Sequence, residues 1–324
     1  MSDPARHDTT IWVVSDGRRG IENQALGLAE AVGRELKVPH RIERITVRQD
    51  GFVTLPAHSH PDIWIGCGRA AVPFAGRHRR IFPDCKFVYV QDPRHRHDDF
   101  DLIVAPSHDR LVRSNALSMT GSPNRVTPEV LAAANARFPK RLAMLPGPRV
   151  AVLIGGNSKR FKLDNASARY LTSRLDGLLA DGASLMVTVS RRTPATVRAT
   201  LRAHFGQRER VWYHDGEGEG GGAGENPYFT FLAAAEWIFV TEESTNMLVE
   251  ASTTGAPVYV LPLTGTPGKF ALLHAELEAC GAVRPYLGRL DRWTYPPLNE
   301  TRRAARAVLD QFRGHRGQSD IKAA

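Results

Sequence analysis

Short apolar runs and helix-period stripes alternate along the chain, and the alternation starts twice. The first run, residues 11–14, precedes a stretch between residues 21 and 36 whose apolar positions recur as on one face of a helix. The same order of strand, glycine turn and helix starts again at residues 150–154. Strands that alternate with helices favour parallel sheets covered on both faces. The pattern therefore predicts an α/β fold with two Rossmann-like domains.

The best candidate for a linker between the two domains is the Pro146-Gly147-Pro148 segment. Two prolines and a glycine stop regular structure. We therefore predict an N-terminal domain in residues 1–146 and a C-terminal domain in residues 147–296. The last periodic segment, residues 300–312, predicts a helix within a final stretch, residues 297–324, that ends in a basic tail.

Charge and cysteine usage narrow the range of partners. The formal net charge is +9, which favours anionic partners. Basic residues are scattered and are not interleaved with aromatics, which disfavours nucleic acid. Three cysteines without a CxxC pair indicate a reduced, cytoplasmic chain, and no apolar stretch approaches the ~18 residues needed to span a bilayer. A peripheral position on the anionic inner face of a membrane is compatible with the basic balance.

The first candidate site directly follows the first predicted strand. It contains Asp16, Gly17 and Arg18, and Glu22 opens the helix that comes next. Ligands of open parallel sheets bind beyond the carboxyl ends of the strands, and helix N-termini attract anions. A solvated turn is the alternative, but the density of glycine, arginine and amide residues favours a site.

Two further turns occupy equivalent positions in the second half. Gly-Gly followed by serine, lysine and arginine suits a diphosphate, although Gly-Gly alone is weak evidence. Two arginines at a strand end can clamp phosphate oxygens in bidentate fashion, and a charged surface turn is the alternative there. The residues are Gly155, Gly156, Asn157, Ser158 and Lys159 in one turn and Arg191 and Arg192 in the other.

The strongest candidate lies between two apolar strands and starts at Glu242. Ser244 or Thr245 can cap the helix that follows, so the backbone amides of residues 245–247, Asn246 among them, would form an anion pocket. Glu242 and Glu250 could flank a bound polyol, because carboxylates accept protons from vicinal hydroxyls. A capped amphipathic helix with solvated glutamates is the less favoured alternative.

The spacing of this segment resembles the E-x7-E signature of GT-B glycosyltransferases, with Glu242, seven residues and then Glu250. The resemblance implies a GT-B-like architecture, in which two Rossmann-like domains face a central cleft and the C-terminal helix crosses back to the first domain. It implies that the helix N-terminus holds the donor diphosphate, Glu250 the ribose and Glu242 the sugar. GT-B enzymes generally need no bound metal, so the implied site contains neither metal nor cofactor, and the nucleotide diphosphate sugar is a substrate.

The chain also resembles the mitochondrial fission factor family, which includes the plant elongated-mitochondria proteins. The segments that carry this resemblance are GIENQ (residues 20–24), VQDPR (90–94), GGNSK (155–159) and TEESTNM (241–247). It covers the chain from Ser15 onward, and it implies the fold more than a reaction.

Three functions are compatible with these observations. The first is metal-independent transfer of a sugar from a nucleotide sugar to an acceptor that the sequence does not name. An inverting transferase needs a general base, for which Asp16, Glu22 and Asp92 are the candidates; E-x7-E families mostly retain configuration. The second is a non-catalytic adaptor, and the third a sugar-nucleotide epimerase that needs no acceptor.

Overall fold

The computed structural model describes residues 8–48, 53, 55, 59–215 and 226–322. The glycine-rich segment 216–225, which the sequence predicts to be a loop, lies outside the described residues. The chain divides into two compact units: residues 1–125 with 299–324, and residues 126–298. Each unit is built around its own parallel sheet.

The first unit alternates strands and helices as the apolar pattern predicts. Its elements are β1 (Thr9–Ser15), α1 (Arg19–Glu35), β2 (His40–Thr46), β3 (Ile63–Cys67), α2 (Val72–Ile81), β4 (Lys86–Val90), β5 (Leu102–Pro106) and β6 (Ala116–Met119). Short 3-10 turns occupy Arg69–Ala71, His97–Asp99 and Ser107–Asp109.

The second unit has the same kind of alternation. Its elements are α3 (Pro128–Asn135), α4 (Pro139–Ala143), β7 (Arg149–Ile154), β8 (Phe161–Lys162), α5 (Asn165–Ala180), β9 (Ser184–Val189), α6 (Ala195–Phe205), β10 (Val211–His214), α7 (Tyr228–Ala234), β11 (Trp237–Thr241), α8 (Thr245–Thr254), β12 (Val258–Leu261), β13 (Thr264–Gly265), α9 (Ala271–Ala279) and β14 (Val283–Pro285), with a 3-10 turn at Gly268–Phe270. The final helix, α10 (Glu300–Lys322), belongs to the first unit.

Both main sheets are parallel throughout the described residues. The first has the strand order β2-β1-β3-β4-β5-β6 and the second β10-β9-β7-β11-β12-β14. Strands β8 and β13 form a separate antiparallel pair. The predicted α/β class with two Rossmann-like sheets is therefore confirmed.

Strands β1, β3, β4 and β5 of the first sheet are buried on both faces, whereas the edge strands β2 and β6 are partly exposed. Alternate residues of β1 point to opposite sides: Ile11 and Val13 pack with α1 and α10, whereas Trp12 and Val14 pack with α2. Burial on both faces explains why these strands appear in the sequence as continuous apolar runs. None of the described helices is both long and apolar enough to span a bilayer.

The second unit begins before the Pro146-Gly147-Pro148 segment at which the sequence puts the domain boundary. Val126, Leu142 and Leu145 are buried in the core of the second unit, so residues 126–146 belong to it. The prolines and glycine stop the helical segment α4 before β7, but apolar packing decides which unit a segment joins.

We predict opposite effects for two glycine-to-alanine substitutions in helices. A Cβ at Gly27 of α1 would lie 2.6 Å from the backbone of Asn124, whereas one at the exposed Gly177 of α5 would meet none of the described heavy atoms within 4 Å. Gly27→Ala should destabilise the first unit by about 1–3 kcal/mol through overpacking. Gly177→Ala should stabilise the second unit by about 0.5–1 kcal/mol, because alanine loses less backbone entropy in a helix.

Differential scanning calorimetry of both variants checks this pair. The Asn124 backbone is held by a hydrogen bond from its N–H to Thr301 Oγ1 (3.1 Å), so it does not yield easily. Equal melting temperatures for Gly27→Ala and the wild type would contradict the close approach of α1 to Asn124.

Candidate functional site

The strand orders create one crevice position in each sheet. From β7 the chain passes to β9 on one side and later to β11 on the other, and from β1 it passes to β2 on one side and β3 on the other. Ligands of open α/β sheets bind at the carboxyl edge, at the position where the strand order reverses in this way. We call these positions the β7/β11 switch point and the β1/β3 switch point.

At the β7/β11 switch point, the two glycines after β7 are bonded to the end of β11. The Gly155 N–H donates to Thr241 Oγ1 (2.8 Å), and the Gly156 N–H donates to Glu243 Oε1 (2.6 Å). The sequence suggests that these glycines help to hold a diphosphate. In the structure both amides have partners within the protein, so they connect two strands.

Neighbouring groups explain why these two positions are glycine. A Cβ at Gly155 would overlap the Glu243 carboxyl, and a Cβ at Gly156 would overlap the backbone carbonyl of Arg192. The Thr193 hydroxyl also donates to the Gly155 carbonyl. The loops after β7, β9 and β11 are thus packed into one polar cluster by buried hydrogen bonds.

The other residues of the two basic turns divide into structural and exposed groups. Asn157 Oδ1 accepts from the Leu163 N–H (2.8 Å), and Ser158 Oγ accepts from the Phe161 N–H (3.0 Å), so both shape the turn around β8. The predicted cationic residues are exposed and remain available to an anion from solvent; they are Lys159, Arg191 and Arg192.

Glu242 and Glu250, which carry the E-x7-E spacing, have different surroundings. Glu242 is half-buried, and its Oε2 accepts from the Leu263 N–H (3.1 Å) beyond β12. Glu250, in the second turn of α8, accepts a hydrogen bond from the Tyr228 hydroxyl. Burial, together with the charge of Glu250, raises the pKa of Tyr228 well above its ordinary value, so this hydroxyl stays a donor.

The start of α8 differs from the expected capped helix. Ser244 occupies the N-cap position and is buried, but its side chain makes no capping hydrogen bond within the described part of the chain. The Thr245 N–H bonds the Glu243 carbonyl (3.2 Å), and Thr245 and Asn246 are half-buried in the first turn. A tight backbone turn, and not a serine hydroxyl, starts this helix.

Glu243 is a site residue that the sequence analysis did not select. It is 5% exposed, and burial raises the pKa of its carboxyl, while the hydrogen bonds from Thr241 and Gly156 and the charge of Arg192 oppose that effect. No strand pattern marks this residue, because Glu243 lies in the turn after β11, which ends at Thr241. The E-x7-E spacing drew attention to Glu242 instead.

At the β1/β3 switch point, Asp16 is held beside β3. Its side chain is only 9% exposed and forms an ion pair with Arg18 (2.7 Å). A Cβ at Gly68, which follows β3, would lie 3.3 Å from Asp16 Oδ2. Gly17 has a positive φ of 73°, which suits glycine, and Glu22 is half-buried in the first turn of α1.

Asp92 lies after β4 at the same edge of the first sheet. It accepts hydrogen bonds from the Arg94 N–H (2.8 Å) and bonds the His97 ring (3.0 Å). Burial raises the pKa of the Tyr89 hydroxyl, and the negative charges of Asp16 and Asp92 raise it further. Both carboxylates therefore lie close enough to Tyr89 to affect its ionisation. The structure therefore brings two of the three candidate bases, Asp16 and Asp92, to one edge.

A partly buried amide pair, which is not among the site residues predicted from the sequence, also lies there. Gln91 Nε2 donates to Gln24 Oε1 (2.9 Å), which connects the loop after β4 to α1. Gln91 has a positive φ of 83°, unusual for a residue with a side chain. Among the described residues, no group of three or more acidic, histidine or cysteine side chains is arranged to hold a metal ion.

Comparison with solved structures assigns the fold. The UDP-GlcNAc 2-epimerase of Methanocaldococcus jannaschii has a TM-score of 0.56 at 10% identity, and the comparison covers 94% of this chain and 99% of that one. A structure of the same enzyme in complex with UDP-GlcNAc and UDP has a TM-score of 0.51, also at 10% identity, with the same coverage. The protein therefore has the GT-B-like fold of the glycosyltransferase and epimerase class.

Sequence comparison assigns the family. The family described as Mitochondrial fission ELM1 matches residues 19–312. The Mitochondrial fission protein ELM1 of Arabidopsis thaliana is 29% identical over 310 residues, which cover 87% of this chain and 69% of that protein. The chain belongs to the Mitochondrial fission ELM1 family, and the resemblance stated from its sequence is confirmed.

We predict that the Thr193 hydroxyl stabilises the polar cluster at the β7/β11 switch point. Thr193→Val keeps the side-chain volume but leaves the buried Gly155 carbonyl without this donor. The loss should destabilise the second unit by about 1–3 kcal/mol, the cost of an unsatisfied buried polar group. The change in melting temperature, measured by calorimetry, checks it.

Thr200→Val is the matched control, because the Thr200 hydroxyl also donates to a backbone carbonyl, that of Thr196 (3.0 Å), but on an exposed helix surface. We expect a change within about 0.5 kcal/mol there. Equal effects of the two substitutions would contradict a special role for Thr193.

Proposed function

We propose that this protein binds a nucleotide diphosphate sugar at the β7/β11 switch point and transfers the sugar to an acceptor without a bound metal. The observation that carries the proposal is the convergence of three loops, those after β7, β9 and β11, on one polar cluster at the carboxyl edge of the second sheet. Open α/β sheets bind ligands at this position.

The exposed cations beside the cluster suit the diphosphate. Arg191, Arg192 and Lys159 lie on the loops that follow β9 and β7, and they are exposed. Guanidinium groups bind phosphate oxygens in bidentate fashion and replace a metal in stabilising a departing diphosphate. Because the Gly155 and Gly156 amides have partners within the protein, these side chains and the start of α8 would carry most of the phosphate binding.

Glu250 is proposed to bind the ribose. The Tyr228 hydroxyl donates to Glu250 Oε2, which fixes the orientation of the carboxylate. A carboxylate held in one rotamer loses less side-chain entropy when it accepts hydrogen bonds from vicinal hydroxyls. Glu242 remains the proposed contact to the sugar, although its Oε2 is shared with the Leu263 N–H.

The acceptor is proposed to bind at the carboxyl edge of the first sheet. Asp16, Glu22 and Asp92 remain candidates for the general base of an inverting reaction. Asp16 is paired with Arg18, and Asp92 is bonded to Arg94 and His97. Glu22 is half-buried on the first turn of α1.

Two other functions are each favoured by one observation. The structural neighbours named above are UDP-GlcNAc 2-epimerases, which favours an epimerase. The plant relative is named a mitochondrial fission protein, which favours a non-catalytic adaptor whose partner would be an acidic protein or an anionic membrane surface. Formation of an epimer from a nucleotide sugar without any acceptor would distinguish the epimerase from the transferase.

A thermal-shift screen against UDP, GDP, ADP, CMP and their sugars tests the proposed site. Ligand at 100 times its Kd stabilises the native state by about 2.7 kcal/mol, so one nucleotide series should raise the melting temperature by several degrees. Glu250→Gln should reduce that shift, because the amide binds hydroxyl groups less strongly than a carboxylate does.

Glu278→Gln, an exposed change on α9, is the control and should retain the full shift. Glutamine at position 250 still offers an oxygen to the Tyr228 hydroxyl, which limits damage to the fold. Absence of a shift with every nucleotide, in protein shown to be folded, would refute the donor site and leave the adaptor as the best-supported function.

A further inference from the structure

The carboxyl of Glu243 lies at the centre of the β7/β11 switch point. It fills the space over Gly155, where even a methyl group would overlap it, and its Oε1 accepts from the Gly156 N–H (2.6 Å). Thr241, two residues before it, bonds the Gly155 N–H in the same way. Thr241 ends β11 and Glu243 lies in the turn after it, and both side chains contact the turn after β7.

One oxygen of this carboxyl has no partner. Glu243 Oε2 is closed off from solvent, and no hydrogen-bond donor or acceptor reaches it within the part of the chain that the structure describes. A buried polar atom without a partner is costly, and native proteins rarely retain one without a functional reason. An ionised oxygen lacks a donor there, so loss of its charge on protonation relieves part of that cost.

The surroundings of Glu243 set the balance between the ionised and the protonated form of its carboxyl. Burial raises the pKa of the carboxyl, and Arg192, on the loop after β9, opposes this through its charge. Two nearby ionisable side chains have other partners. Glu242 Oε2 accepts from the Leu263 N–H, and the His274 ring of α9 bonds the backbone carbonyl of Glu242. A negative ligand beside Glu243 would further favour the protonated form.

We propose that Glu243 couples the binding of a diphosphate at the β7/β11 switch point to the uptake of one proton. In the empty site the carboxyl is ionised and bonded to the Gly156 N–H. In the occupied site a proton from solvent resides on the carboxyl, which removes its charge repulsion with the phosphate oxygens. This inference rests on the proposed function, because it concerns the same site.

The coupling has a definite sign. If only the protonated form accepts the diphosphate, the apparent affinity falls as pH rises through the pKa of Glu243, by about tenfold for each further pH unit. Below that pKa the affinity does not depend on Glu243. Because burial raises this pKa, the fall starts at a higher pH than it would for an exposed glutamate.

Isothermal titration calorimetry with inorganic pyrophosphate, between pH 5 and pH 8, tests the inference on the full-length chain. Glu243→Gln is neutral at every pH and keeps an oxygen for the Gly156 N–H. We expect the variant to bind pyrophosphate more tightly than the wild type above the pKa of Glu243, by about tenfold for each further pH unit, and this difference to shrink as the pH falls.

Proton uptake provides a second measurement. Titrations in two buffers with different ionisation enthalpies should show up to one more proton taken up by the wild type than by Glu243→Gln. The ionisation of pyrophosphate itself is common to both proteins and cancels in the comparison. Glu236→Gln is the control: Glu236 precedes the amino end of the same strand and bonds the Arg149 N–H, so it should behave as the wild type.

The outcomes separate this inference from the proposed function. Pyrophosphate binding that follows the same pH dependence in the wild type and in Glu243→Gln would overturn the inference alone. Weaker binding by a folded Glu243→Gln at pH 8 would also overturn it, because a purely structural role predicts loss. No binding by either protein at any pH would overturn the inference, and the anion site of the proposed function with it.

Discussion

The requirement that both faces of a parallel sheet be covered governs this structure. Each of the two main sheets is parallel, and helices pack on both faces, as the split of β1 between Ile11 and Trp12 shows. Because the strands run in the same direction, all their carboxyl ends lie at the same edge of the sheet, and crossover connections return the chain to the opposite edge. That edge collects the loops after β7, β9 and β11, and the polar chemistry of the second unit follows from this arrangement.

The sequence predicts the class of fold and the positions of most long elements, because buried parallel strands are short apolar runs with glycine turns after them. It misses elements whose residues lack that contrast. The edge strand β6 contains only four residues, three of them incompletely buried, and α9 is apolar on several sides. The unit boundary at residue 126 was also hidden, because Val126, Leu142 and Leu145 reveal their partners only after folding.

The sequence marks the loops after β7, β9 and β11 as candidate site segments, but it does not show the hydrogen bonds that connect them. The E-x7-E spacing selects Glu242 and Glu250. In the structure, the carboxyl that bonds the turn after β7 is that of Glu243, which the spacing does not select. The packing of Glu243 and Arg192 requires glycine at positions 155 and 156. A turn that binds phosphate with its backbone amides would have the same two glycines. Only the positions of the neighbouring loops distinguish these two causes.

The return of the chain to its first unit has a topological consequence. Around the two crossings, the Thr120 N–H bonds Glu300 Oε2 (2.9 Å) and the Asn124 N–H bonds Thr301 Oγ1 (3.1 Å), so the exit and re-entry points are fastened side by side. Residues 126–298 thus form a loop whose two ends are held together. The contacts of α10 with the first unit offset the entropy cost of closing this loop. Loss of α10 would therefore expose the core of the first unit and release the two ends of this loop at once.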